Sequence, residues 1–251
     1  EHETSYKSET IPKYHAVDVA IKRAQLTGAS VILGSATPSL ESYDKARRGE
    51  YKLYTLTKRA KEALPPKVWI VDLKEELKNR NKSIFSGKLK ELIADRLAKD
   101  EQIMLFLNRR GYAGFVSCRS CGHVMKCPHC DVSLTSHNNG RLLCHYCGYE
   151  EPQPALCPEC GSKYIAAFGT GTQKVEELTA REFPKARILR MDADTTKKKG
   201  GHEAILSAFE KHKADILIGT QMIVKGHDFP RVTLVGIIAA DLSLYAGDFR
   251  A

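Results

Sequence analysis

Eight cysteines, all the cysteine in a chain of 251 residues, fall into four identical C-x-x-C pairs: Cys118/Cys121, Cys127/Cys130, Cys144/Cys147 and Cys157/Cys160. Two intervening residues put both sulfurs on one side of a tight turn, along one edge of a tetrahedron. Two such turns complete a four-cysteine zinc site with Zn–S bonds of ~2.3 Å. Gly or Asp follows each pair (Gly122, Asp131, Gly148, Gly161), residue types that accept a left-handed backbone. The pattern calls for two structural Zn2+ ions. Disulfides or redox C-x-x-C sites fit it less well, because no signal peptide leads the chain and the remainder reads as cytosolic.

Loop length bears on how the pairs combine. Only Gly122 to Lys126 separate the first two pairs, too few residues to fold back comfortably around one ion, whereas Asp131 to Leu143 is a usual zinc-ribbon hairpin length. A nested arrangement is therefore favoured: Cys118, Cys121, Cys157 and Cys160 on one zinc, and Cys127, Cys130, Cys144 and Cys147 on the other. A crossed arrangement is the competitor. Closed sites with four cysteine ligands are structural, which points to an interaction module rather than a catalytic metal.

With 42% apolar residues the chain has enough material for one large core or two smaller ones. No apolar run approaches the roughly 20 residues of a membrane span, so no membrane partner is expected. The formal charge is +9; eight thiolates (−8) and two Zn2+ (+4) would bring it to +5. That balance suits a nucleic-acid partner, and it equally suits an ordinary solvated basic surface. The chain opens on Glu1-His2-Glu3 without an initiator methionine and reads like the middle of a domain, so a fragment is expected.

Along the rest of the chain short apolar runs alternate with helical periodicity. Strands are expected at Val31–Leu33, Tyr51–Leu56, Ile103–Leu107, Arg187–Met191, Asp215–Ile218 and Val232–Ile238. Thr37 is a plausible N-cap with Pro38 at the first helical position, opening a helix to Gly49. Further helices carry Leu89, Leu92, Ile93 and Leu97, then Val175, Leu178 and Phe183, then Ile205, Leu206 and Phe209. A basic, Pro-containing stretch, Lys58 to Lys67, looks like a connection between lobes. The alternation means α/β architecture with a covered parallel sheet, and the cysteine region interrupts it after the strand at Ile103–Leu107.

Ligands of such folds bind beyond the carboxyl ends of the strands. Those ends are Gly34-Ser35-Ala36-Thr37, Asn108-Arg109-Arg110-Gly111, Asp192-Ala193-Asp194-Thr195 and Gly219-Thr220-Gln221, where small and hydroxylated residues suit close approach to phosphates. Each segment alone is equally an ordinary strand-to-helix turn.

Together they resemble the superfamily 2 DNA helicases, and within them the bacterial replication-restart helicases. The segments that carry the resemblance are Glu1-His2 with Ser5-Tyr6-Lys7, Gly34–Ser39, Leu105–Tyr112, the four C-x-x-C pairs, Gly169–Glu177, and Gly219–Pro230 running on to Ala239-Ala240-Asp241. The resemblance covers essentially the whole chain. It implies two RecA-like lobes with parallel sheets, the second interrupted by a two-zinc Cys-rich insertion. The expected divisions are residues 1–57 (end of lobe 1), 58–75 (connection), 76–115 (start of lobe 2), 116–166 (zinc insertion) and 167–251 (remainder of lobe 2).

By the same resemblance, ATP with Mg2+ binds between the lobes and single-stranded DNA crosses both. Thr37 relays lobe closure between nucleotide and DNA. Gly226 and Asp228 face the nucleotide. Gly219, Thr220, Thr170, Gly171 and Arg110 contact DNA phosphates, which carries no sequence information and suits action on any fork. The implied activity is ATP-dependent 3′→5′ unwinding at stalled or collapsed forks with primosome assembly. The implied partners are single-stranded and forked DNA, primosome proteins and single-stranded-DNA-binding protein, in the bacterial cytoplasm at the nucleoid. Tyr112, Phe115, Arg119, His123, Lys126, His129, Arg141, His145 and Tyr146 would give the zinc insertion a basic and aromatic surface.

Departures from the family pattern are large. The chain has no G-x-x-x-x-G-K-S/T phosphate loop, the Walker B aspartate and catalytic glutamate would precede Glu1, and the arginine-finger motif would follow Ala251. This chain alone is therefore expected to hydrolyse no ATP. The alternative of a different class is a non-enzymatic zinc-ribbon module that binds nucleic acid or protein. It accounts for the cysteines and the charge but not for the α/β alternation or the strand-end segments.

Overall fold

The computed structural model describes residues 6–8, 10–58, 65–107, 114–137, 139–167, 171–192, 194–196, 200–223 and 228–241. The chain divides into two compact units, Glu1–Val68 and Trp69–Ala251.

The first unit carries α1 (Ala16–Thr27) and α2 (Leu40–Arg47). Helix α1 is capped by His15, whose Nδ1 accepts from the Val17 amide at 3.3 Å, and it stops at Gly28 in the left-handed region. Helix α2 differs from expectation at its start. The Thr37 amide donates to Ser35 Oγ at 3.0 Å in a turn of its own, and the cap is Ser39, whose Oγ accepts from the Ser42 amide at 3.1 Å. The helix also ends at Arg47, two residues before Gly49. The strands expected at Val31–Leu33 and Tyr51–Leu56 do not form. Neither run joins a ladder, and Ile32 and Leu56 are 94% and 95% exposed. Apolar composition makes a strand only where a hydrogen-bonding partner lies alongside.

The second unit holds the parallel sheet. Strands β1 (Gln102–Leu107), β7 (Ile188–Met191), β8 (Ile216–Gly219) and β9 (Val232–Ile238) pair in the order β7-β8-β1-β9, all parallel. The near-continuous apolar runs of β1 and β8 suit burial on both faces, whereas the edge strand β9 leaves Val235 and Ile237 exposed on one face. Alternate residues separate cleanly. Ile103, Leu105, Leu107, Ile216 and Ile218 pack with Ile93 of α4 (Gly87–Ala98) and Val175 of α5 (Thr172–Glu182). Met104, Phe106, Leu217 and Met191 face the other way, onto Leu206 and Phe209 of α6 (Gly201–Glu210). Gln102 is the polar exception in β1. Its buried Nε2 donates to the Phe209 and Ala214 carbonyls at 2.7 and 2.8 Å, tying the end of α6 to the sheet.

Preceding α4 is a short helix, α3 (Leu73–Lys78), capped by Asp72. Between β1 and α5 the chain leaves the sheet to build the cysteine region. Strands β2 (Val116–Cys118) and β6 (Ile165–Ala167) pair antiparallel where it departs and returns. Inside it, β3 (Thr135–Ser136), β4 (Arg141–Leu143) and β5 (Glu150–Pro152) form an antiparallel sheet. Its small core mixes Val116, Leu134, Leu142 and Ile165 with four buried cysteines, Cys118, Cys127, Cys144 and Cys157. So little apolar volume is a weak basis for an independent fold, and a structural metal supplies what the core lacks.

Candidate metal centres and nucleic-acid interface

The four C-x-x-C pairs share one local geometry. The amide of the residue after the second cysteine donates to the carbonyl of the first: Gly122 to Cys118 (2.8 Å), Asp131 to Cys127 (3.0 Å), Gly148 to Cys144 (2.9 Å) and Gly161 to Cys157 (2.8 Å). These four residues take φ of 85°, 54°, 77° and 69°, the left-handed backbone that Gly, and Asp among the other residues, accepts. The first cysteine of each pair donates its amide onward, to the carbonyl of His123, Val132, Tyr149 or Ser162. Each turn is thus closed by the backbone before any metal is considered, with both sulfurs on its inner side.

The sulfurs fall into two groups, Cys118, Cys121, Cys157 and Cys160, and Cys127, Cys130, Cys144 and Cys147, which is the nested arrangement. Within each group all four lie within 4.8 Å of one another. Four ligands at ~2.3 Å from one centre stand about 3.8 Å apart in a tetrahedron. Cys118 and Cys160 Sγ are 3.7 Å apart, Cys121 and Cys157 3.7 Å, and Cys127 and Cys147 3.5 Å.

The electrostatics agree with that geometry. Cys144 is drawn down to about 7 by the amides of Cys147 and Tyr146 against its burial. Cys118 falls to about 7 because the amides of Cys121 and Ser120 outweigh burial. Cys130 is pushed up to about 12, chiefly by the Cys147 sulfur. At Cys160 the Ser162 amide pulls downward, but burial and the sulfurs of Cys121 and Cys118 drive it to about 12. Four thiols this close cannot all ionise without a cation among them, and a Zn2+ in each group removes the conflict. Both tetrads fit structural zinc. No histidine joins either group among the described residues; His129 instead lies edge-on to Tyr149, with ring centroids 5.5 Å apart. Tyr146, His145, His129, Lys126 and Arg141 are all exposed, as a surface role requires.

At the carboxyl edge of the parallel sheet the sequence-predicted residues separate into those placed and those not. Gly219 ends β8 and is buried. A Cβ there would come within 2.5 Å of Ile223 Cγ2 and 2.8 Å of the Met191 carbonyl oxygen, so only glycine fits between β7 and the 3-10 turn Gln221–Ile223. Thr220 follows it, half-buried, at the sheet edge. Gly171 is the N-cap residue of α5 and makes no side-chain cap. Asp228 is exposed, and Thr37 is exposed within the first unit. Gly226, Thr170, Arg110 and Tyr112 lie outside the described residues.

Two groups escaped sequence reasoning as a pair. The Thr172 hydroxyl donates to Asp192, whose other oxygen accepts from the amides of Asp194 and Thr195. Burial alone would raise the Asp192 carboxyl. Thr172, the Thr195 amide, Arg190 at 3.2 Å and the Asp194 amide outweigh it and hold the group below the ordinary aspartate range. This network ties the start of α5 to the turn after β7. The strand-end position of Asp192 was visible in sequence; its partner twenty residues earlier was not.

With both centres in place, similarity to known proteins can be read against them. The profile of the PriA DNA helicase Cys-rich region domain matches residues 127–152, the stretch that contains one complete tetrad. Similarity to known proteins also extends along the whole chain. Over the entire chain, 57% of residues are identical to the replication restart protein PriA of Bacillus subtilis (strain 168), covering 31% of that protein. Along its whole length this chain is similar to one part of PriA. Identity to PriA of Synechocystis sp. is 48%, over 31% of that protein, and to PriA of Haemophilus influenzae 42%, over 34%. The chain spans about a third of the length of these PriA relatives. Its parallel sheet and two four-cysteine centres suit a RecA-like helicase lobe carrying a PriA Cys-rich insertion. No helix among the described residues is long and apolar enough to cross a membrane.

Proposed function

We propose that this chain is part of an ATP-dependent 3′→5′ DNA helicase that unwinds stalled or collapsed replication forks and initiates primosome assembly for replication restart. The observation that carries this reading is whole-chain similarity to PriA joined to a parallel sheet that gathers Gly219, Thr220, Gly171 and Asp192 at one edge. The zinc-ribbon module of the alternative reading has no use for that sheet.

In this reading Thr220, Gly219, Thr170, Gly171 and Arg110 hold the phosphates of single-stranded DNA. Gly219 brings the backbone close, and Thr220 donates a hydrogen bond. Gly226 and Asp228 face ATP and its Mg2+ from the second lobe, and Thr37 couples nucleotide to DNA. ATP and Mg2+ supply the driving reaction, while these residues bind and orient. The divisions at 1–57, 58–75, 76–115, 116–166 and 167–251 describe the motor and its insertion. Forked DNA, primosome proteins and single-stranded-DNA-binding protein are the partners, in the bacterial cytoplasm at the nucleoid.

Because the chain has no phosphate-binding lysine loop, it hydrolyses no ATP by itself. The test uses the full-length protein on forks with a single 3′ or 5′ tail. Unwinding that needs ATP and translocation from the 3′ side supports the reading. Binding to both forks without unwinding would favour the non-enzymatic module. DNA-stimulated ATP turnover by the isolated chain would refute its assignment as a partial motor.

A further inference from the structure

Arg119 lies between the first two zinc ligands, in the turn Cys118-Arg119-Ser120-Cys121, where sequence suggests a basic surface group. The structure puts it elsewhere. Its guanidinium turns onto the lobe and donates to three consecutive carbonyls, those of Asn81 (Nη2, 3.2 Å), Lys82 (Nη1, 2.7 Å) and Ser83 (Nη2, 2.6 Å). At its other end the Arg119 amide donates to the Tyr164 carbonyl at 2.8 Å, beside the β2–β6 pairing. The Ser120 and Ser162 hydroxyls, 2.7 Å apart, close the same corner.

The loop it grips is braced into the core. Asn81 Nδ2 donates to Glu76 and to the Phe85 carbonyl, Glu76 accepts from the Gly87 amide at 2.8 Å, and Phe85 is 1% exposed. Gly87 opens α4, the helix that covers β1 and β9. One planar fork therefore spans from a zinc-ligand turn to the foundation of the sheet. A lysine has the charge but not the fixed fork of donors.

We propose that Arg119 is a positioning residue that sets the orientation of the zinc insertion on the parallel-sheet lobe, so that the motor's movement reaches the DNA through the insertion. The proposal rests on the helicase reading for its last step only. A zinc ion held by Cys118, Cys121, Cys157 and Cys160 would fix the Arg119 backbone, so this tetrad, which includes Cys118 of β2, is the one that would aim the insertion. The other tetrad shapes the hairpin beyond.

The test compares full-length wild type with Arg119→Ala and Arg119→Lys by zinc content, hydrogen exchange, DNA-stimulated ATP hydrolysis and fork unwinding. In Arg119→Ala two zinc ions remain, and exchange in peptides covering 79–87 quickens about tenfold or more, the loss expected for a charge-assisted grip worth more than one ordinary hydrogen bond. ATP hydrolysis stays within about twofold while unwinding falls at least about fivefold, and Arg119→Lys lies between, its charge kept but its fork lost. Wild-type exchange in 79–87, or wild-type unwinding in spite of faster exchange, overturns the proposal. Should Arg119→Ala lose zinc, Arg119→Lys carries the comparison under the same criteria. If wild type itself neither hydrolyses ATP nor unwinds, the helicase reading fails, and exchange alone decides the clamp.

Discussion

Replacing Gly219 with alanine places one methyl group where the carboxyl edge of the sheet has no room. The added Cβ would sit 2.5 Å from Ile223 Cγ2 and 2.8 Å from the Met191 carbonyl oxygen. Carbon atoms in favourable contact stand about 3.5–4.0 Å apart, so roughly 1 Å must open on two sides. The Ile223 side chain, 2% exposed, has little freedom to turn away, and the Met191 oxygen belongs to β7, so the strand or the 3-10 turn must shift. Overpacking of this kind costs about 1–3 kcal/mol. Hydrogen exchange of amides in 188–191 and 216–219, measured in the full-length protein, should therefore quicken about 5- to 150-fold. The same shift moves Thr220, so DNA affinity should fall in parallel. Exchange indistinguishable from wild type would refute the claim that glycine is demanded here by packing.

Other perturbations read other parts of the structure. Cys118→Ser and Cys127→Ser should each reduce bound zinc from two ions per chain to one, by metal analysis; loss of both ions from either change would contradict two independent tetrads. Gln102→Leu removes two buried hydrogen bonds, the Phe209 carbonyl keeping the His212 amide at 2.9 Å, and should lower stability by about 1–3 kcal/mol, seen as a reduced denaturant midpoint. Asp192, held below the ordinary range, contributes stability that is present above the unfolded-state value of about 3.9 and is lost as pH falls through its lower folded value. Asp192→Asn should therefore flatten that acid-side loss in a pH series of unfolding midpoints, and an unchanged acid limb would show the network contributes nothing. Disrupting either zinc tetrad should slow unwinding while leaving DNA-stimulated ATP hydrolysis; loss of both activities would indicate misfolding.

What could be read from sequence is what local chemistry encodes. A C-x-x-C turn closes on itself within six residues, so its geometry follows from residue type, and the five residues between Cys121 and Cys127 argue for nesting without any tertiary knowledge. The strands β1 and β8 are legible because a doubly covered strand is nearly all apolar and bounded by polar turns, while β7 and β9 keep enough apolar residues to be read although β9 leaves Val235 and Ile237 exposed. Val31–Leu33 and Tyr51–Leu56 look the same in sequence yet form no ladder, since pairing is a property of the neighbour and not of the run. Thr37 and Ser39 are both acceptable caps by residue type, and only the distance to the Ser42 amide chooses Ser39. Arg119 and Asp192 were misread or half-read for one reason. Their partners, the carbonyls of 81–83 and the Thr172 hydroxyl, come from distant sequence, and a charged side chain shows no local mark of being turned inward.

The most direct test of the central claim, that this chain belongs to a DNA-driven motor, is ATP hydrolysis by the full-length protein with and without single-stranded or forked DNA. The account predicts strong stimulation by DNA, lost in both Thr37→Ala and Asp228→Ala. Hydrolysis absent under every condition, or stimulated equally in the two variants, would contradict it.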